Sequence, residues 1–380
     1  MHIAFNGWFW DQPNTGSGQY VRHLLPALRR VAPELRMTLV LPPHNPTPDD
    51  LPNDVTIVTT RGGSGNLGKV WFEQRTYPRV VRRVGADIAH VPYWGPPLSS
   101  PARLVTSILD VIPLVIPAYS AGFTRQLYTS LVSAGARGSA HILTISDAAK
   151  ADIVTHLGVP EAMITTTPLA VDDHYHPRLG AERDADARRK YNLPDNFVLY
   201  LGGFDARKQV NQLLLAWTYV QQAEGENVQL VIGGREPQWG SPMFPDLRKY
   251  AADLDINESI RWIGYVDEAD KPSLYRLAKV FVFPSRYEGF GLPVLEAMAS
   301  GTPVVANDVS SIPEIVGDGA YLVPSGDSRK MAGAILALLL QESLRDSLIN
   351  QGLARATHFS WRKTAKATLD VYERVLAMEG

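Results

Sequence analysis

The chain has no cysteine in its 380 residues. That excludes a disulfide framework, a thiolate metal site and a cysteine nucleophile, and it agrees with a reducing compartment. An excess of charge of one sign is lacking too. The 37 basic and 39 acidic side chains leave a formal net charge of −2, so no strongly basic face marks the chain for nucleic acid. No run reaches the ~18 apolar residues that a spanning helix needs. The first residues, Met1-His-Ile-Ala-Phe-Asn-Gly7, have no basic segment and no cleavage site. They read as a first β-strand rather than a signal peptide, and the expectation is a cytoplasmic protein. A chain of this length exceeds one typical hydrophobic core, so two domains are the default.

What is present is a regular alternation. Apolar runs at His2–Asn6, Met37–Leu41, Val55–Val58, Ile88–Val91, Leu104–Leu109, His141–Ile145 and Ile164–Thr167 read as strands of a first half. Those at Phe197–Leu201, Val228–Ile232, Ile260–Ile263, Val280–Val282, Pro303–Ala306 and Ala320–Val323 read as strands of a second. Helical patterns separate them, which implies two parallel, doubly wound α/β sheets. The composition shift from Ala170 to Leu193 suits a connection between them. The predicted domains are 1–175 and 176–358, with 359–380 as a closing helix. In that helix Ser360 is the N-cap, and Ala365, Leu369, Tyr372 and Leu376 form one stripe. The stripe packs either on its own domain or back on the first one.

The most informative stretch is Glu288-Gly-Phe-Gly-Leu-Pro-Val-Leu-Glu296. It follows the buried run Val280-Phe-Val-Phe-Pro284, so Glu288 is expected on a loop at the carboxyl end of a strand. Glu296 is expected at the start of the next helix. In open α/β sheets ligands bind in that crevice. The backbone N–H groups of Gly289 to Leu292, near a helix N-terminus, favour anionic groups. The plainer reading of two such glutamates is helix capping. Elsewhere, Gly202-Gly203 leads into Arg207-Lys208, two cations past a strand that suit a diphosphate, or simply a solvated helix start. Gly233-Gly234-Arg235 offers a similar patch. Gly264-Tyr265-Val266 could read a nucleobase through its backbone, or be an ordinary turn. Gly16 and Gly18 form a glycine loop after the first strand. The segment Lys69 to Val84 is a basic amphipathic helix, suited to an anionic membrane surface or to plain solvation. Asp184-Ala-Asp186 matches a metal-binding dipeptide but sits in a charged run, away from a strand end.

Together these motifs resemble the retaining glycosyltransferases of family 4, with the GT-B architecture of two facing Rossmann-like domains. The resemblance runs through Asp110-Val-Ile-Pro-Leu114, Thr144-Ile-Ser146, Leu157-Gly-Val-Pro160, Gly202-Gly203 with Arg207-Lys208, Glu288 to Glu296, Gly301-Thr-Pro-Val-Val305 and Phe359-Ser-Trp361. Within the family it is most similar to the bacterial mannosyltransferase-B-like group, which builds surface polysaccharides. The resemblance implies transfer of a hexose from a nucleotide-diphosphate sugar, GDP-mannose or a UDP-sugar, to a glycan or lipid-linked glycan. No cofactor and no metal are implied. Arg207 and Lys208 would stabilise the departing diphosphate, a role shared with Gly16, Gly18 and Gly203. Glu288 would face the donor sugar, with backbone groups of Gly289, Phe290, Gly291 and Leu292 beside it. Glu296 would hold the ribose, and Val266 the base. Leu109 stands where the family commonly has a histidine before Asp110. That departure implies an altered sugar pocket, in which His90 is either a candidate for compensation or a structural histidine. Peripheral contact with the inner face of the plasma membrane, through residues 69–84, agrees with a lipid-linked acceptor.

Three other readings stay open beside this one. A nicotinamide dehydrogenase is disfavoured, because Val21 stands where its glycine fingerprint needs a third glycine. A GT-B epimerase shares the nucleotide site. A non-catalytic GT-B subunit would keep the fold alone.

Overall fold

The computed structural model describes residues 1–43, 51, 54–120 and 122–378. The chain divides into two compact units, Met1–Leu169 with Ser360–Gly380, and Ala170–Phe359. Residues 379–380, the end of the predicted closing helix, lie outside the described residues.

The first unit is built on β1 (His2–Asn6), β2 (Arg36–Leu41), β3 (Thr56–Thr59), β4 (Ile88–Val91), β5 (Arg103–Ser107), β6 (His141–Thr144) and β7 (Ile164–Thr166). They form one parallel sheet in the order β3-β2-β1-β4-β5-β6-β7. The second unit holds β8 (Phe197–Leu201), β9 (Gln229–Gly233), β10 (Ile260–Gly264), β11 (Val280–Phe283), β12 (Val304–Asn307) and β13 (Tyr321–Val323). Its parallel order is β10-β9-β8-β11-β12-β13. Central strands covered on both faces read as continuous apolar runs, and β8 and β11 are buried along their whole length. Their side chains alternate between two cores. Val198, Tyr200, Val280 and Val282 pack with Trp217 on one face, while Phe197, Leu199, Phe281 and Phe283 pack with Val294 and Met298 on the other.

In each sheet the strand order reverses once. The reversal lies between β1 and β4 in the first unit and between β8 and β11 in the second. Loops leaving the carboxyl ends of the two strands beside a reversal diverge and leave a crevice, where ligands bind in this class of fold.

Three boundaries differ from the sequence expectation in ways that matter. Strand β5 ends at Ser107, so Leu109 and Asp110 lie in the following loop. The helix Gly16–Val31 begins with the two glycines that were expected to form a loop, and Thr15 caps it by accepting from the Gly18 N–H. A Cβ on Gly18 would collide with the Gln12 carbonyl oxygen, so close chain packing accounts for this glycine. The helix Leu292–Ala299 starts at Leu292 because Pro293 stands in its first turn, which places Glu296 in its second turn rather than at its start.

The helix Trp361–Ala377 belongs to the first unit, where it packs along Gly16–Val31. Ser360 caps it by accepting from the Lys363 N–H. Its buried face runs through Thr364, Ala365, Thr368, Val371, Tyr372 and Val375, so Leu369 and Leu376 are only half-buried. The two threonines can be buried because each hydroxyl bonds a backbone carbonyl, Thr364 that of Pro168 and Thr368 that of Thr364 at 2.8 Å.

Candidate functional site

Strand β8 ends at Leu201 and turns through Gly202 and Gly203 into a single 3₁₀ turn, Ala206–Lys208. Gln209, at φ 47°, closes that turn and opens the helix Val210–Glu224. Across the sheet reversal, β11 runs into Pro284 and the segment leading to Glu288. One carboxylate oxygen gathers the donors. Glu288 Oε1 accepts from Lys208 Nζ at 2.6 Å and from Ser285 Oγ at 2.5 Å, and lies 2.8 Å from Arg207 Nη1. Arg207 Nη1 also donates to the Tyr287 carbonyl at 2.7 Å, and the Arg286 N–H donates to the Arg207 carbonyl at 2.9 Å. Asp205 lies 3.4 Å from Arg207 Nε. The four charged side chains are 11–16% exposed and their formal charges cancel. Burial pushes the Glu288 carboxyl up, but Lys208, Arg207 and the hydrogen bonds from Lys208 and Ser285 outweigh it and hold it below its ordinary value. The carboxylate is therefore ionised at neutral pH.

The loop behind Glu288 is pinned from the neighbouring strand. The Glu288 N–H donates to Ser310 Oγ at 2.9 Å, and Ser311 Oγ donates to the carbonyls of Glu288 at 2.9 Å and Phe290 at 2.8 Å. Ser310 sits at φ 45°, a left-handed conformation that a non-glycine residue holds only where its surroundings determine it. Gly291, at φ 103°, lets the chain turn into the helix, and a Cβ there would lie 2.6 Å from the Ile312 side chain. Phe290 is buried, with its ring edge-on to Phe359, so its backbone rather than its ring is what the loop presents.

Glu296 is buried in a phenolic niche. Tyr275 O–H donates to Glu296 Oε2 at 2.8 Å. Burial raises the Glu296 carboxyl above its ordinary value, while Lys271 and hydrogen bonds from Tyr275 and Tyr175 pull it back only in part. Lys271 itself bonds Glu268 at 2.6 Å. Of the other predicted contacts on this unit, Gly203 is exposed and its carbonyl accepts from Tyr200 O–H at 2.5 Å. Val266 is buried past β10. Gly234 lies against the Gly202 carbonyl so closely that a Cβ would collide with it, and the Arg235 guanidinium lies over the Tyr265 ring. Asp184 pairs with Arg276 at 2.5 Å, and Asp186 pairs with Arg189. Among the described residues no cluster of three or more His, Asp or Glu is placed to hold a metal.

Gly16, Gly18, Leu109, Asp110 and His90 all belong to the first unit. Leu109 and Asp110 are half-buried, and Asp110 Oδ1 accepts from the Ile112 N–H at 3.1 Å. His90 does not reach a pocket. It is fully buried on β4, with Nδ1 2.5 Å from Tyr372 O–H and Nε2 2.8 Å from Ser107 Oγ. Both ring nitrogens are used in fastening the last helix to the sheet, and burial lowers its pKa to about 3. Of the two readings of His90, these contacts fit the structural one rather than compensation for Leu109.

A cluster that sequence reasoning did not single out lies at the reversal of the first sheet. Phe9 and Tyr93 meet edge to face at 4.8 Å. The Lys69 ammonium lies 4.9–5.3 Å from the ring centroids of Phe9, Tyr93 and Tyr128. It donates to Tyr128 Oη at 2.9 Å and pairs with Glu73 at 3.6 Å. Glu73 stands on a π-helical turn, Phe72–Thr76, with its side chain fully buried, and burial pushes its carboxyl up to about 7. The π-turn carries Glu73 into this cluster, and no local pattern announces it.

Two family models match the chain, Glycosyltransferase Family 4 over residues 14–175 and Glycosyl transferases group 1 over residues 183–355. The O-antigen chain mannosyltransferase B of Escherichia coli is 34% identical over 291 residues, covering 74% of each chain. A serotype-specific mannosyltransferase, WbdA of Escherichia coli, is 27% identical over 73% of this chain, but the match spans 34% of WbdA's own length. Among solved structures, sucrose-phosphate synthase from Thermosynechococcus elongatus superposes with a TM-score of 0.77 at 21% identity, covering 99% of both chains. That last likeness is one of fold.

Proposed function

The chain belongs to glycosyltransferase family 4, and from that premise we propose that it moves a hexose, with retention of configuration, from a nucleotide-diphosphate sugar to a glycan or lipid-linked glycan. The favoured donor is GDP-mannose, because the relatives similar over most of this chain's length include a mannosyltransferase of O-antigen chains. The observation that carries the reading is the convergence of Arg207, Lys208 and Glu288 at the sheet reversal between β8 and β11.

In this reading Arg207 and Lys208 meet the negative charge that grows on the departing diphosphate. Fixed charges of that kind commonly make the largest contribution to catalysis. The bond from the anomeric carbon to the phosphate oxygen breaks as the acceptor hydroxyl oxygen bonds to the same face. The acceptor's proton passes to the leaving phosphate oxygen, so no step is routed through a metal or a cofactor. Glu288 and the backbone of Gly289 to Leu292 hold the donor sugar, Glu296 accepts from the ribose hydroxyls, and Val266 meets the base. Paired carboxylates working as a glycosidase require a set separation across the scissile bond. The different surroundings of Glu288 and Glu296, one ion-paired and one in a phenolic niche, favour separate roles instead. Among the described residues no helix is long and apolar enough to cross a membrane. Peripheral contact with an anionic membrane surface through residues 69–84 belongs to the same reading.

A thermal-shift panel of GDP, UDP, GDP-mannose and UDP-glucose tests the donor site. A ligand at 100 times its Kd stabilises by about 2.7 kcal/mol. A flat response to all four sinks the assignment. Incubation with donor alone separates transfer from epimerisation. Leu109 removes a hydrogen-bonding partner from the sugar pocket, so Leu109→His is expected to change donor preference or rate. An unchanged profile refutes that role.

A further inference from the structure

The helical segment 65–84 of the first unit covers its core with Phe72, Tyr77, Val80 and Val81, and turns a row of guanidinium groups outward. Arg79 and Arg83 stand one turn apart on that exposed face. Like charges at this spacing repel. Arg61, from the segment leaving β3, adds a third positive charge. The three line one concavity of about 590 Å³, together with the hydroxyls of Thr59 and Thr76 and the indole of Trp71. No carboxylate lines it among the described residues. Some arginines elsewhere are neutralised, Arg29 by Asp54, Arg188 by Asp195 and Arg248 by Glu236, so what sets this group apart is that three guanidinium groups line one concavity. The side chains of Arg61, Arg79 and Arg83 form no hydrogen bond or ion pair with a described residue.

We propose that this concavity is a phosphate-recognition site. Guanidinium is planar, permanently charged and matched to phosphate oxygens in pairs of parallel hydrogen bonds. Three of them with two hydroxyls suit a phosphomonoester or a diphosphate better than a single carboxylate. The volume falls within the range of small-molecule sites and leaves space for the group that bears the phosphate. Trp71, 56% exposed, offers that group an apolar face. Two sources share this chemistry, the phosphate headgroup of a membrane lipid and a phosphate carried by a water-soluble molecule. The site lies on the first unit and the donor loops on the second, so the proposal does not rest on the donor reading; its lipid source deepens the membrane contact proposed for residues 69–84, and its water-soluble source is independent of it.

The test uses the full chain without nucleotide, and substitution of the three arginines separates binding in the concavity from binding at Arg207 and Lys208. Inorganic pyrophosphate is titrated calorimetrically. In parallel the protein is co-sedimented with vesicles of phosphatidylcholine alone and of phosphatidylcholine with phosphatidylglycerol. Wild type is expected to bind pyrophosphate, the phosphatidylglycerol vesicles, or both. The double variant Arg79→Gln, Arg83→Gln and the single variant Arg61→Gln are expected to weaken that binding at least ~10-fold, the loss of one charge-assisted contact or more. Their unchanged thermal unfolding shows that the fold is intact. Binding to vesicles without pyrophosphate assigns the lipid source, and binding of pyrophosphate assigns a phosphate group in its own right. Wild type that binds neither probe overturns the proposal. So do glutamine variants that bind as wild type does.

Discussion

Replacing Lys208 with methionine removes one positive charge from the cluster at the second sheet's reversal and keeps most of the side-chain stem over the Phe283 ring, where the ammonium now lies 5.1 Å from the centroid. The Lys208 ammonium donates to Glu288 Oε1 at 2.6 Å, and both side chains are 12% exposed. Losing a hydrogen bond between charged groups costs about 1.5–3 kcal/mol. The loss stays within that range because Arg207, 2.8 Å away, still faces the carboxylate. The effect on catalysis is larger than that on folding. Removing one fixed donor to developing charge lowers kcat by about 10²–10³-fold, or ~2.7–4 kcal/mol. The pH dependence has a definite sign. Glu288's folded carboxyl lies below its ordinary value of 4.5. It therefore contributes stability that is present above the unfolded value and lost as pH falls through the folded one. Lys208 is the strongest of the groups holding it down. Without it the folded value rises, and the acid loss begins at higher pH. Urea unfolding at neutral pH and at stepped acid pH measures the first effect, and transfer rate at saturating donor measures the second. A variant that transfers within about threefold of the wild-type rate, far short of the loss of a fixed donor, refutes the assignment of Lys208 to the leaving group. An unchanged acid transition refutes the electrostatic account of Glu288.

Glu296→Gln separates binding from stability. The buried carboxyl's folded value is raised, so stability is lost as pH rises from the ordinary value to the raised one. Glutamine is expected to leave the protein at least as stable at pH 8 while weakening nucleotide binding about 10–100-fold, by calorimetric titration. Equal affinity would remove Glu296 from the ribose. Glu73→Gln behaves similarly in the first unit. With the carboxyl moved from 4.5 to about 7, wild type and variant match below the lower value and diverge through that window. The variant becomes more stable by up to ~3 kcal/mol above it, and parallel urea curves at pH 5 and pH 8 decide the matter. Tyr372→Phe leaves His90 Nδ1 buried without its 2.5 Å partner and is expected to cost about 1–3 kcal/mol in unfolding free energy. A loss under ~0.5 kcal/mol contradicts the fastening role.

The strands were legible because covered parallel strands need apolar side chains on both faces. Phe197–Leu201 and Val280–Phe283 cannot be mistaken for exposed loops. The chemistry at their ends was legible for the same reason, since Arg207, Lys208 and Glu288 stand in the loops past strand termini and Glu296 in the helix that follows. What pins those residues was not. Ser310, Ser311 and Gln209 are ordinary polar residues whose partners are distant in the chain, and no local spacing announces such a contact. Two helix starts were misplaced, because Gly16 and Gly18 read as a loop and Glu296 as the start of its helix, whereas the glycines open the first helix and Leu292 and Pro293 open the second. The buried face of the last helix was displaced from Leu369 and Leu376 because buried threonines satisfy their hydroxyls through backbone carbonyls and so look polar in the sequence.

The fastening of the last helix to the first sheet sets a timetable for synthesis. Tyr372 completes a contact with His90, whose other partner, Ser107, leaves the ribosome with the early strands. At translation rates of roughly 5–20 residues per second, the delay between Ser107 and Tyr372 is on the order of tens of seconds. Through that interval the groove along Gly16–Val31 that the helix will fill stays uncovered, while the whole of the second unit is made. The earliest part of the chain is thus the last to be finished. A nascent chain stalled anywhere before Tyr372 leaves an unsealed first sheet for chaperones to guard and proteases to find.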